Sequence, residues 1–227
     1  MKELPTTIAI DGPAGSGKST LGALLAESLG YLYFDTGVMY RAVTLAALNA
    51  GLQMTDEQAV GELAQKVKID VGPPSIEDGR DYDVYLDDDD VTWDIRKSEV
   101  NAHVSPVSTY AAVREAMTAQ QRRIASENKV VMVGRDIGTV VMPNADLKIF
   151  LDASVEVRAQ RRFQELLDRG WKTTFDTVLQ SLKNRDEIDS GRKIAPLRPA
   201  NDAIVIKVDC MGIQQVLAKV KDLIQDK

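Results

Sequence analysis

Cysteine, histidine and aromatic side chains are scarce in this chain. Of its 227 residues one is a cysteine, Cys210, one is a histidine, His103, and aromatics make up 5%. A single cysteine closes no internal disulfide, so a reducing compartment is the expectation, and metal clusters or nucleophilic thiols have little to stand on. A single histidine excludes His-rich metal sites and argues against a Ser-His-Asp triad. His103 reads as a surface or capping residue. No apolar run approaches the roughly 18 residues that span a bilayer. The N-terminus shows no basic segment followed by an apolar core. The expectation is a soluble, cytosolic protein with no membrane partner. Positive charge is also short, with 28 Lys and Arg against 34 Asp and Glu and a net charge of −6. General nucleic-acid binding wants a basic footprint and is disfavoured. An anionic small ligand is not, because a local arginine cluster can oppose the net charge. No internal repeat or low-complexity tract is visible.

What the chain does have is Gly12-Pro13-Ala14-Gly15-Ser16-Gly17-Lys18-Ser19, which fits the phosphate-binding loop G-x-x-x-x-G-K-[ST]. Thr7–Ile10 before it is a short apolar run of strand type, and Leu21, Leu24, Leu25 and Leu29 after it recur at helical spacing. Strand, glycine loop and helix is the context the motif requires. The glycines allow backbone conformations that a β-carbon forbids. The loop can then turn its N–H groups inward on an anion, at the positive end of the following helix. Lys18 is expected to reach the β- and γ-phosphates, and the Ser19 hydroxyl to bind Mg²⁺. Thr20 completes the expected nucleotide-binding set.

Five apolar runs read as strands: Thr7–Ile10, Tyr31–Phe34, Val130–Val133, Leu147–Leu151 and Ala203–Val208. Most lack alternation, which suits strands covered on both faces, and helical patterns lie between them. An α/β fold with a parallel sheet follows. Ile213, Val216, Leu217, Val220 and Ile224 predict a C-terminal helix packed on that sheet. From Val67 to Ile95 the pattern alternates instead, through Ile69 and Val71, then Tyr82, Val84 and Leu86, then Val91, Trp93 and Ile95. A small antiparallel insert is expected there. Its Asp87–Asp90 run lacks the other ligand positions of a calcium loop and reads as a solvated turn that blunts an edge. Further helices are expected over Val113–Ser126, from Ser154 towards Arg169, and from a capping box at Thr173-x-x-Asp176.

Positioned charges carry the rest. Asp35-Thr36-Gly37 and Gly134-Arg135-Asp136 follow the carboxyl ends of two strands, and Arg41 sits on the next helix. Ligands of open parallel sheets bind beyond that edge, so Arg41, Arg135 and Asp136 are expected to face the cleft that Lys18 faces. Arg41 taken alone also fits a solvated helix residue. Arg158 and Arg162 stand one helical turn apart, and Arg185, Asp189 and Arg192 share a helical face. Such faces are commonly just solvated. Phosphoryl transfer, however, needs cations around the moving group, and arginine offers bidentate contacts to phosphate oxygens.

The segments Ile10-Asp11-Gly12-Pro13, Asp35-Thr36-Gly37 with Tyr40-Arg41, Val113-Arg114-Glu115, Gly134 to Val141, Lys148 to Ala153, and Arg185-Asp186 through Asp189 and Arg192 to Leu197 cover most of the chain. With them the chain resembles the bacterial cytidylate kinases, within the nucleoside monophosphate kinases. The resemblance implies a P-loop kinase core with a five-stranded parallel sheet flanked by helices. It implies core segments 1–36 and 106–227, a monophosphate-binding region 37–105 with its β insert at about 67–95, and a helical lid at about 157–170. It implies that Gly12 to Thr20 bind ATP. Thr36, Arg41, Arg135 and Arg192 would hold the phosphate of CMP, Ser105, Arg114 and Asp136 its base, and Arg185 and Asp189 its sugar. Lys18, Arg158 and Arg162 would act on the transferring phosphoryl group. Thr36 stands where relatives carry serine, and the hydroxyl survives. The expected reaction is Mg²⁺-assisted, ATP-dependent phosphorylation of CMP and dCMP by a monomer. Two rivals remain: a kinase for another nucleoside monophosphate, and a nucleotide-dependent switch that signals by shape and needs no second phosphate site.

Overall fold

The computed structural model describes residues 4–226. Residues 1–3 and 227, which fall in the expected core segments, lie outside the described residues. In chain order the elements are β1 (Thr7–Asp11), α1 (Lys18–Leu29), β2 (Leu32–Asp35), α2 (Gly37–Asn49), α3 (Glu57–Lys66), β3 (Ile69–Gly72), β4 (Asp83–Leu86), β5 (Asp89–Asp90), α4 (Ser98–Val107), α5 (Ala111–Glu127), β6 (Val130–Gly134), β7 (Leu147–Asp152), α6 (Val155–Asp168), α7 (Phe175–Gly191), β8 (Ile204–Lys207) and α8 (Ile213–Asp226). A single 3₁₀ turn covers Asp94–Arg96 and a π-helical turn covers Ile137–Val141.

Five strands form one sheet in the order β2-β6-β1-β7-β8, and the phosphate loop leaves its middle strand, β1. The β1–β7 and β7–β8 pairings are parallel, with Ile10 opposite Ile149 and Ile149 opposite Ile204. Successive side chains of a strand point to opposite faces. Ile8, Ala9 and Ile10 are all fully buried, so β1 is covered on both. That is why it reads as a continuous apolar run. The edge strand β8 behaves differently, with Ile206 buried and Val205 exposed. The chain divides into two compact units, residues 1–25 with 133–227, and residues 26–132.

In the first unit α8 buries Val216, Leu217, Val220 and Ile224 along one face, as their spacing requires. Ser154 caps α6, its Oγ accepting from the Val157 N–H while its hydroxyl donates to Asp209. Gly170 ends α6 at φ +77°, where the N–H groups of Gly170 and Trp171 bond back to Leu167 and Leu166. Helices α6 and α7 pack through Ala159, Val178 and Leu182, with the Phe163 and Phe175 rings edge to face. That ring contact sets the start of α7 at Phe175. The N-cap is therefore Thr174, whose Oγ1 accepts from the Thr177 N–H, one residue later than the expected capping box.

In the second unit β3, β4 and β5 form an antiparallel sheet, with Ile69 opposite Leu86 and Val71 opposite Val84. Asp87 and Asp88 make its tight turn at φ +50° and +73°, a region that aspartate tolerates better than most residues. The buried Arg80 guanidinium organises the insert, donating to Asp78, Asp83 and Asp90. Hydrogen bonds from Thr92 and Arg80 hold the Asp90 carboxyl at about 2. The alternation at Val91, Trp93 and Ile95 is not a strand. Val91 still donates to the Val84 carbonyl of β4, whereas Ile95 lies in the 3₁₀ turn with its N–H on the Val91 carbonyl; both are buried and Trp93 is exposed. Helices α3 and α4 had weak signals: α3 buries only Val60, Gly61 and Ala64, and α4 carries Pro106 in its last turn.

Candidate active site

The phosphate loop takes the backbone its glycines permit. Gly12, Gly15 and Gly17 lie at φ +150°, +77° and +92°. A β-carbon on Gly12 would stand 2.4 Å from the Leu151 carbonyl oxygen, so β7 presses directly on the loop. Gly12→Ala combines a forbidden dihedral with a backbone clash. It is expected to destabilise the protein by about 1–3 kcal/mol and to remove nucleotide binding, read by thermal denaturation with and without ATP. Lys18 is buried and its Nζ donates to the Pro13 carbonyl at 2.7 Å. The ammonium is thereby held over the loop. The Ser16 hydroxyl is buried and meets no hydrogen-bond partner among the described residues. Buried hydroxyls are normally satisfied, so a ligand or water fits there.

Beside the loop lies a cavity of about 240 Å³. Ser16 and Gly17 of the loop and Thr20 of α1 line it, together with Val208 and Met211. The Arg161 guanidinium edges it, donating to the Val208 carbonyl at 2.7 Å. Mostly apolar walls with a few donors suit a flat heterocycle attached to phosphates.

Arg158, expected on a lid, is only 4% exposed. Its Nη1 donates to the Ala14 carbonyl of the loop at 3.0 Å, its Nε to the Ala153 carbonyl, and it forms an ion pair with Asp186 of α7. Arg162 lies one turn on, is exposed, and pairs with Glu165 at 2.7 Å. The two arginines share a helix side by spacing but not their surroundings. Asp186 stood in a matching segment but was given no role, and Arg161 was one of several charges in a charged helix. Only the packing of α6 against the loop and α7 singles them out.

A second cationic cluster joins the end of β6 to α7. Asp189 is buried, accepting from Arg135 Nε at 2.8 Å on one oxygen and from Arg192 Nη2 on the other. Burial alone would raise the Asp189 carboxyl, and the neighbouring Arg135 and Arg192 charges more than reverse that, holding it below its ordinary value. Arg185 is exposed and adds a weaker field to the same carboxylate. Asp136 is buried at the head of the π-helical turn, its carbonyl accepting from Val140. Asp11 ends β1 and accepts the Ile137 and Gly138 N–H groups, one on each oxygen, at 2.8 Å. Burial pushes its carboxyl up to about 6 against the pull of those two amides.

In the second unit Thr36 is buried at the start of α2. Arg41 of α2 donates through Nη1 to the Ile95 carbonyl at 3.1 Å and to Asn101 Oδ1 at 2.5 Å, and burial lowers its pKa. Arg41 is thus a packed residue and not simply a solvated one. Arg114 of α5 is buried, donates to the Ser108 carbonyl at 3.1 Å, and stands 5.5 Å from the Tyr40 ring centre. Ser105 lies on α4, partly exposed, with its carbonyl accepting from Ser108.

A metal is tested by the donors available. Among the described residues no three His, Cys, Asp or Glu side chains gather into a ligand set. Mg²⁺ that travels with a nucleotide keeps waters and phosphate oxygens and needs few protein ligands. The exposed Ser19, in the first turn of α1, fits that role.

The family model for cytidylate kinase matches residues 8–226. The chain is 53% identical over 206 residues to a cytidylate kinase of Chloroflexus aggregans, covering 91% of this chain and 88% of that one. It is 42% identical over 225 residues to the cytidylate kinase of Bacillus subtilis, covering 99% of each. Among solved structures, an uncharacterised protein from Eubacterium ventriosum superposes with a TM-score of 0.53 at 13% identity, covering 97% of this chain and 98% of that one, a likeness of fold alone. No helix among the described residues is long and apolar enough to cross a membrane.

Proposed function

The chain belongs to the cytidylate kinase family, and from that premise we propose how its own residues carry out ATP-dependent phosphorylation of CMP. The observation that carries the reading is a second built cationic site, Arg135 and Arg192 on the buried Asp189, in the unit that holds the phosphate loop. A nucleotide switch has no use for it. A kinase whose acceptor carries a phosphate does.

The acceptor phosphate of CMP is largely ionised near neutrality and attacks the γ-phosphorus of ATP in line. One P–O bond forms, the bond to the leaving β-phosphate oxygen breaks, and ADP departs. No strong general base and no covalent intermediate are needed. What the protein supplies is position and charge. The loop amides and Lys18 hold the β- and γ-phosphates, and the cavity edged by Arg161 accepts the base of ATP. Mg²⁺, held through Ser19, would neutralise phosphate charge. Arg158 meets the loop directly and is assigned to the transferring group, with Arg162 beside it. Arg135 and Arg192 take the CMP phosphate, Asp136 accepts from the cytosine amino group, and Arg185 and Asp189 meet the sugar. Thr36, Arg41, Ser105 and Arg114 are proposed as CMP ligands on the resemblance alone. We assign dCMP as a second acceptor, a cytoplasmic location, a monomeric state, and the functional division into core 1–36 and 106–227, monophosphate region 37–105 and lid 157–170.

A coupled assay for ADP with a panel of monophosphates tests this. Turnover is expected with CMP and dCMP. Turnover centred on UMP or AMP, or slow hydrolysis indifferent to the monophosphate, would overturn it. Asp136→Asn replaces one acceptor oxygen with a donor. It is expected to cost CMP about 1–3 kcal/mol of transition-state binding and UMP less, because uracil has a carbonyl in place of the amino group. An equal loss for both would remove Asp136 from base reading.

A further inference from the structure

The structure assigns Asp11 a role in acceptor recognition: by gripping the Ile137 and Gly138 amides, it fixes Arg135 and Asp136 relative to the phosphate loop. It is a positioning residue that touches neither substrate, and the inference rests on the reading that Arg135 and Asp136 bind CMP. Asp11 is the last residue of β1, immediately before Gly12. Its two oxygens accept two successive N–H groups at 2.8 Å, each across more than a hundred residues of chain. Those amides begin the π-helical turn that directly follows Arg135 and Asp136. One side chain therefore joins the start of the ATP-binding loop to the segment that meets the acceptor.

The joint is tight from the other side as well. A β-carbon on Gly138 would stand 3.2 Å and 3.3 Å from Lys148 Cδ and Cγ, closer than an ordinary contact, with Asp11 Oδ2 next to it at 3.4 Å. Lys148 has little freedom to yield, being buried with its Nζ on Asp202. Two amide donors aimed at two oxygens match a carboxylate and nothing else of that length, since asparagine keeps one acceptor and turns a donor on the other amide. The cost of burying this carboxyl, visible in its raised pKa, accords with a group kept for geometry. With both oxygens on amides, Asp11 is oriented toward the turn.

The test compares wild type, Asp11→Asn and Gly138→Ala by steady-state kinetics with CMP, UMP and ATP, with thermal midpoints as the control for folding. Asp11→Asn is expected to raise KM for CMP about 10- to 100-fold, as small misplacements of positioning groups do, while KM for ATP moves less than about twofold. The CMP-over-UMP preference should fall with it, and Gly138→Ala should shift the same parameters in the same direction. An unchanged KM for CMP, or a KM for ATP that rises in step, would overturn the proposal. If Asp11→Asn does not fold, Gly138→Ala decides it by the same readouts. Asp136→Asn run alongside separates the two ideas. If it leaves the CMP-to-UMP ratio intact, the base-reading assignment fails, and the KM split of Asp11→Asn still decides whether Asp11 positions Arg135.

Discussion

Lys18→Ala is expected to lower turnover by roughly 10² or more, with the protein still folded. Lys18 sits in the first turn of α1 with its ammonium on the Pro13 carbonyl at 2.7 Å. A charge held that close to the loop meets the β- and γ-phosphates, and its effect grows as negative charge shifts in the transition state. Losses in kcat and in kcat/KM for CMP should be of similar size. Alanine is the best helix former, so α1 should survive. A thermal midpoint near that of wild type together with the fall in turnover supports the assignment. Near-normal turnover would remove it.

Asp189→Ala has the second large effect, and it reads two things at once. The carboxylate is 3% exposed in its side chain and lies between Arg135 and Arg192. Removing it leaves two partly buried cations without their counter-charge, a change that costs on the order of 3–5 kcal/mol for buried pairs. Stability should fall and KM for CMP should rise sharply. The pH dependence follows from the same pair. Asp189 is held below its ordinary 3.8, so it stabilises the fold above about pH 4 and that contribution is lost as the pH falls below it. Acid unfolding of the variant should lack this part of the slope. The ratio of CMP to dCMP efficiency then separates the two roles. A carboxylate has lone pairs left after two arginine contacts, and if one of them meets the 2′-hydroxyl, the ratio changes in the variant. If Asp189 only holds the arginines, CMP and dCMP lose efficiency equally.

The loop, the covered strands and the C-terminal helix were legible from sequence because each depends on near neighbours. Gly12, Gly15 and Gly17 declare a backbone that side chains forbid, and Val216, Leu217, Val220 and Ile224 repeat at the period of a helix. The misreadings lie where a local pattern has two solutions. Val91 and Ile95 stand four apart in a stretch that also alternates, and the Ile95 N–H bonds back to the Val91 carbonyl instead of continuing a strand. Thr173 and Thr174 are equally good caps, and the packing of Phe175 on Phe163 chose the second.

Sequence by itself determined the phosphate loop, the α/β class and the family, because glycine dihedrals, hydrophobic period and motif spacing are properties of contiguous residues. Tertiary structure alone decided which charges became partners across long stretches of chain. Arg158 and Arg162 look alike in sequence, yet one reaches the Ala14 carbonyl and Asp186 while the other pairs with Glu165 at the surface. Asp189 lies one helical turn from Arg185 but forms its ion pairs with Arg192 and with Arg135, 54 residues away. Asp11 holds amides 126 and 127 residues away. An ionic or hydrogen-bonded contact depends on distances of about 3 Å. Side chains far apart in sequence reach that distance only once the sheet has brought their strand ends together.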